Sequence, residues 1–169
     1  MIRKKDRGKE FEKLFENATK DIMVENNIDI QRLYDVIGKK TISQPSDYIC
    51  YYYPHEIYVE CKTTHESSFS FYQQPQYPRL IEKSKIYGTV CGMLVWYVRL
   101  KRVFWFDIDF LQAYYQAVGL KSISVTRVEQ YLKKNTMGVY EINQVTKRVN
   151  PEMHLKEFYE FIRGDKNGK

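Results

Sequence analysis

Ser46-Asp47-Tyr48 leads, thirteen residues on from Asp47, into Glu60 of the run Glu56-Ile57-Tyr58-Val59-Glu60-Cys61-Lys62-Thr63-Thr64. Residues 56–64 alternate as a strand requires, because successive side chains leave opposite faces. Ile57, Val59 and Cys61 form an apolar face that can pack on a core, and Tyr58, Glu60 and Lys62 form the other. On that second face a carboxylate and an ammonium stand about 7 Å apart along the strand. With Asp47 upstream they make a D…E-x-K set. Two carboxylates suit a hard divalent cation such as Mg²⁺, which takes oxygen ligands and few of them from protein. A lysine beside them can hold a phosphate or help deprotonate a metal-bound water, and its charge keeps it from being a ligand. Such a set suits metal-assisted hydrolysis of a phosphodiester. Taken alone, Glu-x-Lys on a strand is ordinarily a solvated charge pair. The surrounding chain decides between the two.

The 169 residues fit a single domain, 1–169, with a sizeable core; 43% are hydrophobic and 28% charged. No apolar run reaches the eighteen or so residues of a membrane span. The basic N-terminus has no apolar segment behind it and does not read as a signal peptide. Cys50, Cys61 and Cys91 are scattered, without CxxC spacing. That pattern argues for a reducing, cytoplasmic setting and against a disulfide framework or a zinc site. The net charge of +6 favours polyanionic partners. Its cations include a basic arm, Arg3, Lys4, Lys5, Arg7 and Lys9, and smaller clusters such as Lys39-Lys40 and Lys133-Lys134; residues 1–6 read as flexible, as do 165–169 at the other end. Tyr51-Tyr52-Tyr53 could stack on bases, but reads better as a strand or surface patch.

Phe11, Leu14, Phe15, Ala18 and Ile22 recur at helical spacing and predict a helix over 7–24, with Asp6 as its N-cap. Glu10 and Glu12 flank the apolar stripe on opposite sides, and only one of them can lean over a cleft. Ile30, Leu33, Tyr34 and Ile37 predict a short second helix closed by Gly38. Strands follow over 48–53 and 56–64, adjacent and antiparallel, so that Asp47 and Glu60 lie close. Residues 65–75 read as a polar loop, and a helix over 76–87 ends at Gly88. Residues 89–98 are almost wholly apolar and predict a central strand buried on both faces. A further strand covers 103–108, with Asp109 capping a helix that ends at Gly119. Thr126-x-x-Glu129 reads as a capping box, 140–142 as a last strand, and Asn150-Pro151 as the start of a terminal helix stopped by Gly164. The expected fold class is α/β, a mixed central β-sheet flanked by helices.

These residues together resemble the PD-(D/E)XK nuclease superfamily, and within it the RecU-type Holliday junction resolvases. Gly8 and Glu12 match the family's Gly-x-x-x-Glu helix. Ser46–Tyr48 match its Ser/Thr-x-Asp-Tyr segment, loosely at the serine. Glu60, Cys61, Lys62 and Thr64 match its Glu-Ala-Lys-x-Thr strand, and Ser68-Phe69 its Ser-Phe segment. Of its helical His-Gln only Gln76 is present, with Pro75 in place of histidine.

The resemblance implies a restriction-endonuclease-like fold and a Mg²⁺-dependent endodeoxyribonuclease, with Mn²⁺ able to substitute. It also implies a homodimer whose two sites cut four-way DNA junctions in pairs. It implies that Asp47, Glu60 and the Cys61 backbone carbonyl bind the metal and that Lys62 orients or activates the water. Glu12 would act through metal-bound water and Gln76 would position the nucleophile or phosphate. Arg3, Lys4, Lys5, Arg7 and Lys9 would bind DNA. The family carries a long junction-engaging stalk before its catalytic aspartate. Here Glu12 and Asp47 are only 35 residues apart, so the stalk is short or absent. That leaves open a restriction- or repair-type endonuclease without junction specificity, or a non-catalytic DNA-binding protein on the same scaffold.

Overall fold

The chain's structure, a computed structural model, describes residues 7–34, 44–147 and 150–166. It opens with α1 (Arg7–Asn26), in which Phe11, Phe15 and Thr19, spaced by four, are buried. Leu14, Ala18 and Ile22 pack at the edge of this seam, so the apolar stripe is rotated slightly from the expected one. Asp6, the expected cap, lies outside the described residues, as do Gly38 and the connector over 39–43.

The second expected helix is instead β1 (Ile28–Arg32), an edge strand antiparallel to β2 (Tyr48–Tyr52). Ile28 and Ile30 alternate with polar residues, and a five-residue ladder outweighs a helical period resting on four apolar positions. β2 returns through Tyr53-Pro54 into β3 (His55–Thr64), antiparallel as expected. The two-residue β4 (Ser68–Phe69) and α2 (Tyr77–Ser84) lead to β5 (Thr89–Tyr97). β5 lies parallel to β3, a crossover made through α2.

β6 (Arg102–Asp107) pairs antiparallel with β5 and feeds α3 (Ile108–Val118). The cap of α3 is Asp107, whose side chain accepts from Asp109 N–H at 3.0 Å, two residues before the expected cap. Gly119 closes the helix at φ +74°, a conformation open to glycine. β7 (Ile123–Ser124) pairs with β4 and runs into α4 (Val125–Lys133). Ser124 caps α4 through Arg127 N–H at 3.4 Å. Glu129, the expected partner of a capping box at Thr126, instead holds Arg102 at 2.5 Å.

β8 (Val139–Glu141) completes the main sheet, and β9 (Gln144–Lys147) and β10 (Asn150–Met153) form a separate hairpin. Asn150-Pro151 therefore sits in a strand, not at a helix start. The terminal helix, α5 (Lys156–Lys166), begins later and passes through Gly164, so residues 165 and 166, expected in a tail, are helical.

The main sheet has the order β1-β2-β3-β5-β6-β8. It is mixed, and helices cover both faces. Ile57, Val59, Val90, Leu94, Val103 and Trp105 meet Phe11 and Phe15 of α1 and Phe158 and Ile162 of α5. The alternate residues Tyr58, Met93, Val95, Phe104 and Phe106 meet Tyr77 and Leu80 of α2 and Leu111 and Tyr114 of α3. Coverage on both sides is why β5 reads as continuous apolar sequence. Each large side chain so buried contributes about 1.5–3 kcal/mol. The face bearing Tyr58, Glu60 and Lys62 is therefore a second core face that carries two charges.

Candidate active site

The β2–β3 ladder stops at Tyr48↔Val59, while β3 continues beside β5 as far as Thr64↔Tyr97. Past Val59 no strand among the described residues bonds the β2-side edge of β3. Asp47 fills the first gap: its Oδ2 accepts from Cys61 N–H at 2.8 Å. The N–H and C=O of one strand residue point to the same edge, so the Cys61 carbonyl also faces the Asp47 side. Asp47 is itself held by its main chain, whose carbonyl accepts from Leu33 N–H at 2.8 Å. Ser46, buried, donates from Oγ to the Tyr48 carbonyl at 2.8 Å.

Glu60, two residues beyond Tyr58 on the second core face, is 1% exposed. Lys62 Nζ stands 2.6 Å from its Oε1 as an ion pair. Its compensation comes from Lys62 and from the Asp47 backbone. Burial, and after it the charge of Asp47, push the Glu60 carboxyl up to about 7, against the pull of Lys62 and of the Asp47 backbone. A carboxylate buried with so little compensation is costly. Gln76, at the N-cap of α2, keeps its Oε1 buried with no hydrogen-bond partner.

Glu12 and Glu10 are both spoken for. Glu10 pairs with Arg7 at 2.9 Å. Glu12 forms an ion pair with Arg32, whose guanidinium also approaches Glu16 at 3.8 Å. Arg32 lies over the rings of Tyr48 and Tyr34, at 5.6 and 5.5 Å. Tyr48 OH in turn donates to the Glu12 carbonyl at 3.1 Å. Sequence reading missed Arg32 because it assigned 30–37 to a helix; the Ile28-x-Ile30 alternation was the signal that could have placed it at a strand end. Burial pushes the Cys61 thiol well up, and the charges of Asp47, Glu60 and Glu12 add to it. That thiol lies in the α1-side core, so Cys61 offers the site its backbone. All three cysteines are buried and free.

Among the described residues no group of three or more His, Cys, Asp and Glu side chains is clustered as a metal site. The donors present are two carboxylates and a strand-edge carbonyl, all oxygen. The burial of Glu60 and its repulsion by Asp47 are what a bound cation would compensate, so this set fits a hard divalent ion. Of the expected DNA contacts, Arg7 lies over the Trp96 ring at 5.9 Å and Lys9 is exposed. Arg3, Lys4 and Lys5 lie outside the described residues. No helix among the described residues is long and apolar enough to cross a membrane.

No family model matches the chain, and no curated protein does. Among solved structures it is similar to Hjc, a Holliday junction resolvase from the archaeal hyperthermophile Archaeoglobus fulgidus. The identity is 16% and the TM-score 0.41, over 57% of this chain and 79% of that one.

Proposed function

We propose that this chain is a divalent-metal-dependent DNA endonuclease of the PD-(D/E)XK kind, cutting four-way junctions as a homodimer. The observation that carries the reading is the break between β2 and β3. There Asp47 is bonded to Cys61 N–H, and Glu60 is buried with its carboxylate paired to Lys62. Asp47, Glu60 and the Cys61 carbonyl would hold Mg²⁺ or Mn²⁺. Once bound, the ion would supply charge for the phosphoryl oxygens and acidity for a coordinated water. Lys62 Nζ faces the charge that develops on the scissile phosphate. Gln76 Oε1, buried without a hydrogen-bond partner, would accept a hydrogen bond from the attacking water, and Glu12, paired with Arg32, would act through metal-bound water. A two-fold dimer supports paired cuts, because it presents two sites to a symmetric junction.

A second reading, an endonuclease without junction preference, is favoured by one feature. Residues 33–47 are all the chain spends between β1 and β2, which leaves little for a stalk. The deciding experiment is Mg²⁺-dependent cleavage of a synthetic four-way junction against a matched duplex and flap. Preferential paired cutting of the junction supports the first reading, and equal cutting of duplex the second. Asp47→Asn and Glu60→Gln each abolish cleavage and leave DNA binding largely intact, because they remove metal charge and no phosphate contact. Wild-type protein that binds DNA but never cuts would make the chain a non-catalytic binder.

A further inference from the structure

α2 presents two faces. Tyr77 and Leu80 enter the core, while Pro78, Arg79, Glu82 and Lys83 look the other way. That outer stripe forms one wall of a groove of about 830 Å³. Leu33, Pro45 and Ile49, from the end of β1 and from around the start of β2, also line it, as does Tyr58 of β3. Three of the lining residues stand beside site residues in the chain. Tyr58 shares a strand face with Glu60 two residues away, Pro45 precedes Asp47 by two, and Pro75, which also lines it, adjoins Gln76.

Its chemistry is mixed in a particular way. Arg79 and Lys83 are one helical turn apart, about 6 Å along the axis. Lys83 Nζ lies 5.3 Å over the Tyr58 ring, within cation–π reach. Among the described lining residues Glu82 is the single carboxylate, and their net charge is one positive. Between these charges the surface is apolar, from Leu33, Pro45, Ile49, Pro75 and Pro78. A duplex held from outside meets a protein mainly through its phosphates and has no use for apolar walls. Unpaired nucleotides offer both phosphates and bare base faces. The volume falls in the range of small-ligand sites.

We propose that this groove binds a short unpaired stretch of nucleic acid, with phosphates on Arg79 and Lys83 and bases against the apolar walls, leading away from Asp47 and Glu60. The proposal rests on the nuclease reading for its direction, and its test does not need cleavage. Full-length protein is titrated in EDTA, by fluorescence anisotropy, against a short oligothymidylate and a blunt duplex of matching length over a range of salt. Arg79→Ala with Lys83→Ala is expected to weaken oligothymidylate binding at least tenfold and to reduce its salt slope by about 1.4, two single-strand phosphate contacts. The duplex loses less. Glu82→Gln is expected to tighten oligothymidylate binding, a gain that a folding defect cannot mimic.

An unchanged single-strand slope in the double variant, or equal losses for both DNAs, overturns the proposal. So does a shift in the sedimentation of the variants with oligothymidylate affinity intact, which gives the groove to a second copy of the chain. If wild-type protein never cuts DNA with Mg²⁺ but the double variant shows the selective loss, the nuclease reading fails and the groove stands.

Discussion

Glu60 is the residue at which structure and chemistry meet. Its carboxyl, ordinarily near 4.5, is pushed up to about 7, first by burial and then by Asp47. Between those two values the native protein holds a proton that the unfolded chain has lost. The contribution to stability is therefore complete below pH 4.5 and is lost as the pH rises through about 7. The shift corresponds to about 3 kcal/mol. In metal-free protein, Glu60→Gln should remove this pH dependence and raise stability at pH 8, as read by urea unfolding at pH 5 and pH 8. A wild-type protein no less stable at pH 8 than the variant would show that Glu60 is well solvated. Lys62 offers a kinetic counterpart. Lys62→Ala should lower single-turnover cleavage about 10²–10³-fold and leave the Mg²⁺ midpoint unchanged or lower, since a repelling charge is gone. Lys62→Arg should rescue poorly, because a guanidinium is bulkier and does not give up its proton. Normal cleavage by Lys62→Ala would reduce Glu60-x-Lys62 to a charge pair. The carboxylate-lysine set was legible in the sequence because strand alternation is local. The burial of Glu60 was not, because α2 and α3, far along the chain, are what cover its face.

At the scale of elements, the strands with an unambiguous period were legible: residues 56–64 by alternation and 89–97 by unbroken apolarity. β1 was not. Ile30, Leu33, Tyr34 and Ile37 suit a helix about as well as Ile28 and Ile30 suit a strand, and the pairing of residues 28–32 with 48–52 is a long-range fact. Asn150-Pro151 misled for the same reason: the cap signal is local, and pairing with β9 overrode it. With β1 went Arg32, and with Arg32 the partner of Glu12. Gly92 of β5 shows how closely the strands fit. A Cβ there would stand 2.4 Å from the Trp105 ring and 2.5 Å from the Phe106 carbonyl. Gly92 pairs with Asp107 of β6, so the Trp105 indole, two residues along, lies across it. Neither a fully buried indole nor a ladder carbonyl can move aside cheaply. Gly92→Ala should cost about 3 kcal/mol or more, seen as a fall in the urea midpoint with unchanged slope. A loss under about 0.5 kcal/mol, the level of an ordinary surface change, would mean that β5 and β6 part more easily than this.

At the scale of the whole molecule, the net charge of +6 needs a location before it explains anything. Inside the described residues many cations are already committed: Arg7 to Glu10, Arg32 to Glu12 and Glu16, Lys62 to Glu60, Arg102 to Glu129 and Glu141. Arg3, Lys4 and Lys5 precede α1 with a single acid, Asp6, close by in sequence. In the sequence these three cations form a basic arm ahead of α1, which begins at Arg7. Three cations on such an arm release about three counterions from duplex DNA, each lowering the slope of log K against log salt by about 0.9. Deleting residues 1–5 should therefore flatten that slope by about 2–3 for junction, flap and duplex alike, because phosphate contacts carry no sequence or shape information. Cleavage under saturating DNA should persist, since Asp47, Glu60 and Lys62 are untouched. Anisotropy titrations of the deleted and intact proteins over a range of salt give the comparison directly. An unchanged slope would mean that the arm makes no phosphate contact and that the affinity arises from the cations of the folded domain.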